Sequence, residues 1–250
     1  IFKGTFFSTG GYSAEYGQAL SSTLSLNTKD HSLRTQGDLS IMSVGGGYAQ
    51  TLANETQSIS LTANYFDLKP YQKLIKQDFD WERAPFGWDV ELSAQQKLKK
   101  GGLMKVLART EAGGMELWQP QPGIDGRGIL VNLNNKYSYA QTNWRNSYEN
   151  GWSLFGGISV SSNKDNLNVA TVPIERKNLL SHAKFTAIKD FSDRISMKIG
   201  TEYFIHNYSE ALPLENQQRS FGERETYLFT EWDWYLSKKL VLRGGLRAGN

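Results

Sequence analysis

Two pairs of carboxylates have spacings that could do chemistry. Asp89 with Glu91, and Glu231 with Asp233, are acids two residues apart. On an extended strand such a pair projects from one face, as the acid and the nucleophile or base of a glycosidase would need to. On successive inward positions of long strands the same pairs read more simply as groups lining a watery lumen. Asp78, Asp80 and Glu82 alternate within one polar stretch and offer the oxygen ligands calcium takes. The loop glycine and terminal acid of a calcium hand are missing, which favours a solvated acidic loop. His31, His182 and His206 are scattered, and with no cysteine in the chain only carboxylate and imidazole ligands remain for a metal. The sequence has no Gly-x-Ser-x-Gly elbow and no glycine-lysine phosphate loop. The expectation is a protein that is not an enzyme and holds neither metal nor cofactor.

The elements that position these acids read as strands. Ile59, Leu61, Ala63 and Tyr65 alternate with Ser58, Ser60, Thr62 and Asn64, and Trp88, Val90, Leu92 and Ala94 with Asp89, Glu91, Ser93 and Gln95. Ile129, Val131 and Leu133 oppose Asn132, Asn134 and Lys136. Ile195, Met197, Ile199 and Tyr203 oppose Ser196, Lys198 and Glu202, and Leu228, Trp232 and Trp234 oppose Glu231 and Asp233. Each strand thus has one apolar and one polar face. The segments run roughly 10 to 15 residues, longer than the usual globular strand and long enough to cross a bilayer at a tilt. Short breaks near residues 52–55, 99–102, 148–151, 191–194 and 237–239 recur about every 45 residues, a regular period that calls for a repeating supersecondary unit. Between them lie longer polar stretches at 69–86, 119–127, 163–177 and 211–224. Short and long connections that alternate put tight turns on one rim of an up-and-down barrel and long loops on the other, as in outer-membrane barrels.

Composition agrees without deciding. The 250 residues are 39% hydrophobic, with a mean hydropathy of −0.50. No segment approaches a membrane-spanning helix, but a barrel that meets lipid with every second residue is equally modest in hydropathy. The 24 Gly, 12 Tyr, 12 Phe and 7 Trp against 6 Pro suit a turn-rich β-protein with interfacial aromatics. Tyr65, Trp88, Trp118, Tyr148, Trp152, Tyr203, Trp232, Trp234 and Tyr235 gather near strand ends, where a girdle would place them. The net charge of +3, with no Lys/Arg block, gives no nucleic-acid footprint. Both ends lie in strand-like sequence, which reads as an internal piece of a longer protein.

The segment Gly10-Gly11-Tyr12-Ser13-Ala14-Glu15-Tyr16-Gly17, followed by small residues and then Leu24-Ser25-Leu26-Asn27-Thr28-Lys29, resembles the carboxyl end of the plug in TonB-dependent outer-membrane transporters. Ser21-Ser22 departs from the Gly-Gly or Ser-Gly pair of many members. The motif covers about the first 30 residues, and the remainder is similar only in architecture. The resemblance implies an all-β fold, with residues 1–30 closing a plug domain and 31–250 forming the first part, about ten strands, of an antiparallel up-and-down transmembrane β-barrel. It also implies active uptake of a scarce ligand (siderophore, cobalamin, glycan or peptide) across the bacterial outer membrane, driven by the TonB-ExbB-ExbD complex through a TonB box elsewhere. Outer-membrane lipid and a surface lipoprotein are further implied partners. A passive porin or adhesin-like barrel, and a soluble β-sandwich that binds or hydrolyses carbohydrate, remain open.

In physical terms, Gly10, Gly11 and Gly17 permit tight turns or close backbone approach, and Glu15 offers a carboxylate to buried donors or basic wall residues. With Tyr16, Thr28 and Lys29 these form the junction set. Asp89, Glu91, Lys105, Arg109, Glu111, Lys136, Lys198, Glu202, Glu231, Asp233, Arg243 and Arg247 are the candidates for the lumen wall. Trp81, Arg83, Phe86, Trp118 and Arg127 are the loop candidates for ligand contact.

Overall fold

A computed structural model of the chain describes residues 2–17, 22–28, 34–75, 79–121, 123, 126–212 and 217–250. Strands β1 (Phe2–Ser8) and β2 (Thr23–Thr28) form a two-stranded antiparallel sheet. The rest is one sheet of eleven strands, each hydrogen-bonded to its neighbours in sequence. They are β3 (Gln36–Met42), β4 (Gly45–Ala53), β5 (Gln57–Asp67), β6 (Asp80–Lys97), β7 (Leu103–Gln119), β8 (Ile129–Ser147), β9 (Trp152–Val169), β10 (Val172–Ser192), β11 (Ile195–Leu212), β12 (Gln217–Ser237) and β13 (Leu240–Gly249). All pairs are antiparallel, and β3 and β13 are the two edges, so the sheet is not closed. A short helix, α1 (Lys69–Leu74), with Pro in its first turn, lies between β5 and β6. No helix among the described residues is long and apolar enough to cross a membrane.

The long polar connection expected at 163–177 is strand. β9 runs to Val169, and β10 resumes at Val172 after a turn at Ala170, whose φ is +55°. Strands β6 to β12 are accordingly 17 to 21 residues long. Polarity at 163–177 marks strand that leaves the apolar band, where alternation continues with its faces exchanged. Towards this end Met115, Leu133, Leu167 and Ile174 form one cross-strand row, and Leu117, Val131, Val169 and Val172 the next. These rows share a face with Arg109 and Glu111, while Glu116, Asn132 and Lys136 take the opposite face.

That exchange moves one lumen candidate. Lys136 pairs with Ala112, on the face opposite Glu111. Alternation within residues 129–136 reads correctly from sequence, but only pairing with β7 sets its phase, and a one-residue difference in phase reverses every side chain.

Among the described residues no second sheet or helix layer packs on the apolar face. Among the described residues the buried hydrophobic side chains are Ala84, Leu103, Ala187 and Phe229. One face carries Leu61, Leu92, Ile158, Phe185, Tyr203, Leu228 and Leu246, all exposed, with Ile158 at 60% and Leu246 at 76%. Domains are stable when an apolar sheet face packs on another element, and among the described residues no other element covers this one.

Candidate functional site

The charged face of β10 to β13 receives the turn Ser13–Gly17. The turn closes on itself when the Tyr16 amide donates to the Ser13 carbonyl at 2.9 Å and the Glu15 amide donates to Ser13 Oγ at 3.3 Å. Its Glu15 carboxylate then lies between Lys184 Nζ of β10 at 3.0 Å and Lys198 Nζ of β11 at 2.9 Å. The Ala14 amide donates to Glu231 Oε2 of β12 at 2.9 Å, and Lys198 also donates to Ser13 Oγ at 3.3 Å. From β13, Arg247 donates to the Glu15 carbonyl at 3.1 Å and to Glu202 Oε2 at 2.7 Å.

Register explains why these groups meet. Lys184 is opposite Glu202, Lys198 opposite Glu231, and Phe229 opposite Arg247, so alternate positions on four strands converge on one patch. Lys184 bridges to Glu202 at 3.2 Å and Lys198 to Glu231 at 3.6 Å. Three carboxylates (Glu15, Glu202, Glu231) thus face three cations (Lys184, Lys198, Arg247). Each charge has a partner of opposite sign, the condition under which charge can leave water. Aromatic rings floor the patch: Arg247 lies over Tyr227 at 4.3 Å, and Lys184 lies over Tyr16 at 5.5 Å and Phe229 at 5.7 Å. Burial pushes the Glu15 carboxyl up, but Lys184 and Lys198 outweigh it and hold the group below the ordinary glutamate range.

Close approach depends on missing side chains. A Cβ on Gly17 would run into the Arg247 guanidinium, and one on Gly245 would come within 2.8 Å of Ala14 Cβ. Gly11, at φ +62°, turns the chain before the motif. Gly10 has no neighbour that a side chain would strike, Thr28 ends β2 opposite Phe2, and Lys29 lies outside the described residues.

The other wall candidates fall into smaller groups. Asp233 is held by Arg243 at 2.7 and 3.0 Å beside the main patch. On the same face, Arg109 pairs with Glu111 at 2.6 Å, Glu91 is buried opposite Arg109, Lys105 is opposite Gln95, and Asp89 accepts from Asn64 at 3.1 Å. Asp89, Glu231 and Asp233 are therefore engaged by neighbouring side chains of the sheet, and Glu91 is buried opposite Arg109.

Of the residues expected in loops, Trp81, Arg83 and Phe86 lie in β6 and Trp118 in β7, because the strands run on past the apolar band, and Arg127 lies in the connection after β7; Trp118 and Arg127 come together at the far end of the strands. Arg127 grips Asp80 with two hydrogen bonds of 2.6 and 2.7 Å and Glu82 with one of 3.1 Å, while the Trp118 indole donates to Glu82 at 2.9 Å. The guanidinium lies over the Trp118 ring at 4.8 Å. Arg83 packs over Phe86 at 4.8 Å and donates to Asn134 at 3.0 Å. Trp81 is opposite Leu117 and 5.7 Å from Phe79. Asp78 and His31 lie outside the described residues. No group of three or more metal-ligating side chains occurs among those described. His206 bonds Asn178 at 2.7 Å, while His182 stacks on Phe204 and approaches Glu202 at 3.3 Å.

Sequence reading missed Ser13, Lys184 and the Tyr227–Phe229 floor. Lys184 had a signal: with His182 and Thr186 it makes a polar set at every second position, interleaved with Ala183, Phe185 and Ala187.

No family model matches the chain, and neither does any curated protein. Among solved structures, the ferric yersiniabactin uptake receptor FyuA from Yersinia pestis aligns at 12% identity and a TM-score of 0.42. The match covers 85% of this chain and 40% of the receptor, so the chain spans less than half the length of that structure.

Proposed function

We propose that the eleven-stranded sheet is part of the wall of an outer-membrane β-barrel, and that the residues before it close a plug held within that wall. The observation that carries this reading is the seating of Ser13–Gly17 on the charged face while the opposite face stays apolar and exposed. A lumen wall with a polar occupant and a lipid-facing exterior requires that division. The Gly10–Lys29 motif supports the finer reading of TonB-dependent uptake. In it, the plug rearranges when TonB-ExbB-ExbD draws on a TonB box, and a scarce ligand passes into the periplasm. The chain's acids serve as structural partners, with no catalytic step and no cofactor. A passive porin is disfavoured by the ion-paired turn, and a soluble sandwich by the absence of a second sheet over the apolar face among the described residues.

The test is fractionation and uptake in the source bacterium. The full-length protein is expected in detergent extracts of the outer membrane, and growth on its scarce ligand is expected to fail equally when its gene or tonB is deleted. Recovery in the aqueous fraction would end the membrane reading. Uptake that persists without TonB would leave a barrel of another transport class.

A further inference from the structure

The apolar face ends differently at the two ends of the strands. Towards the tight turns at 148–151, 193–194 and 238–239 it is bordered by Trp152, Trp232 and Trp234. The cation nearest to Trp152, Lys189, donates to the Asn150 carbonyl at 2.5 Å and lies over the indole at 5.4 Å. Towards the other end, the first charged side chain on this face is a lysine on each of three adjacent strands: Lys136 on β8, Lys164 on β9 and Lys177 on β10.

The three are directly opposite one another in register, Lys136 to Lys164 and Lys164 to Lys177. Like charges opposed across a sheet repel, so this arrangement costs stability unless an anion is near. Glu175 answers part of it, with 2.9 Å bridges to both Lys164 and Lys177. One carboxylate against three ammonium groups leaves the row cationic, and Lys136 has no ion pair among the described residues. Just inside the row lie Ser138, Ser162 and Leu179; beyond Ser162 and Leu179 come Val160 and Ser181. Cations that stand where an apolar surface gives way to a polar one match the chemistry of an anionic lipid, whose chains take the apolar side and whose phosphates take the lysines.

We propose that Lys136, Lys164 and Lys177 bind the phosphates of a lipid headgroup in the leaflet next to the strand tips. The row spans two strand spacings, about 10 Å, which suits a headgroup carrying more than one phosphate. The aromatic border at the opposite end has no such row, so the site selects one leaflet. The inference rests on the membrane-barrel reading, and the experiment separates the two.

The full-length protein is reconstituted into nanodiscs containing bisphosphorylated lipid A or its dephosphorylated form, and bound lipid is counted by native mass spectrometry. The triple variant K136Q/K164Q/K177Q is expected to hold the phosphorylated glycolipid at least about tenfold more weakly than wild type, and K136R/K164R/K177R to hold it normally. The dephosphorylated lipid is expected to bind wild type and the glutamine variant alike. Unchanged retention in the glutamine variant overturns the site, as does competition by inorganic phosphate as effective as that by the lipid. Failure of the wild-type protein to enter nanodiscs overturns the membrane reading itself.

Discussion

Glu15 and Lys198, 183 residues apart in sequence, meet at 2.9 Å. With Lys184 on the other side of the carboxylate, this contact ties the segment before the sheet to strands near its far edge. Neutralising Glu15 removes the carboxylate shared by Lys184 and Lys198 and leaves them only Glu202 and Glu231 as carboxylate partners. Glu15→Gln is expected to lower the free energy of local opening at Ser13–Gly17 by about 2 kcal/mol, read as faster amide hydrogen exchange there while strand amides keep their protection. Equal exchange in both proteins would show that the pair carries no load.

The same contact gives a pH dependence. The carboxyl of Glu15 titrates below its ordinary range in the folded state. Its contribution is therefore fully present above the ordinary glutamate pKa, declines below it, and is gone once pH falls through the lowered folded value. Protection of Ser13–Gly17 should follow this course in wild type and be flatter in Glu15→Gln. A loss of protection on raising pH from neutral would contradict the assignment.

Gly245 lets Ala14 lie against β13. Gly245→Val suits a strand but places new methyl groups where Ala14 Cβ sits, at 2.8 Å from the first added carbon. The variant should unseat the turn at a cost of about 1 to 3 kcal/mol, raising protease cleavage near Ser13 without changing the β content of the circular dichroism spectrum. Unchanged cleavage would place the turn elsewhere. Gly10→Ala, which meets no neighbour within 4 Å, is the control.

Arg127 fastens the connection between β7 and β8 to the start of β6. In Arg127→Ala the indole of Trp118 loses its stacked cation but keeps Glu82. Proteolysis within 120–128 should quicken and Trp118 emission should shift to the red, with the unfolding midpoint unchanged because the cluster is solvent-exposed. A lowered midpoint would mean that the tip supports the sheet.

Ile158, 60% exposed on the apolar face, distinguishes lipid from water as its surroundings. Against acyl chains Ile158→Arg should cost about 2 to 4 kcal/mol near the bilayer centre, seen as poorer assembly into membranes and a lower denaturant midpoint. Against water it should stay within about 0.5 kcal/mol. A neutral outcome would count heavily against a lipid-facing surface.

Strand type and the five tight turns were legible because alternation is a local property, as at Ile59–Tyr65 and Trp88–Ala94. Phase between strands was not, because it belongs to pairs: Lys136 reads as a neighbour of Glu111 until Ala112 is found opposite it. The hairpin at Ala170 was hidden for a related reason. Asn163–Lys177 is rich in Asn and Lys, residues that signal a loop when counted together. Leu167, Val169, Val172 and Ile174 still alternate within it, on the face that elsewhere is charged. At the junction Glu15 carried a signal of its own, whereas the cations that receive it, Lys184 and Lys198, are fixed only by register on strands far along the chain.

The seat of Ser13–Gly17 also sets an order of assembly. Its donors and acceptors lie 169 to 233 residues downstream, from Lys184 on β10 to Arg247 on β13. Loop closure over that distance gains nothing until those strands have paired, so Ser13–Gly17 is among the last segments to settle. Ser13–Gly17 must therefore stay unattached until β10 to β13 have paired, and closing this seat is a late step in folding.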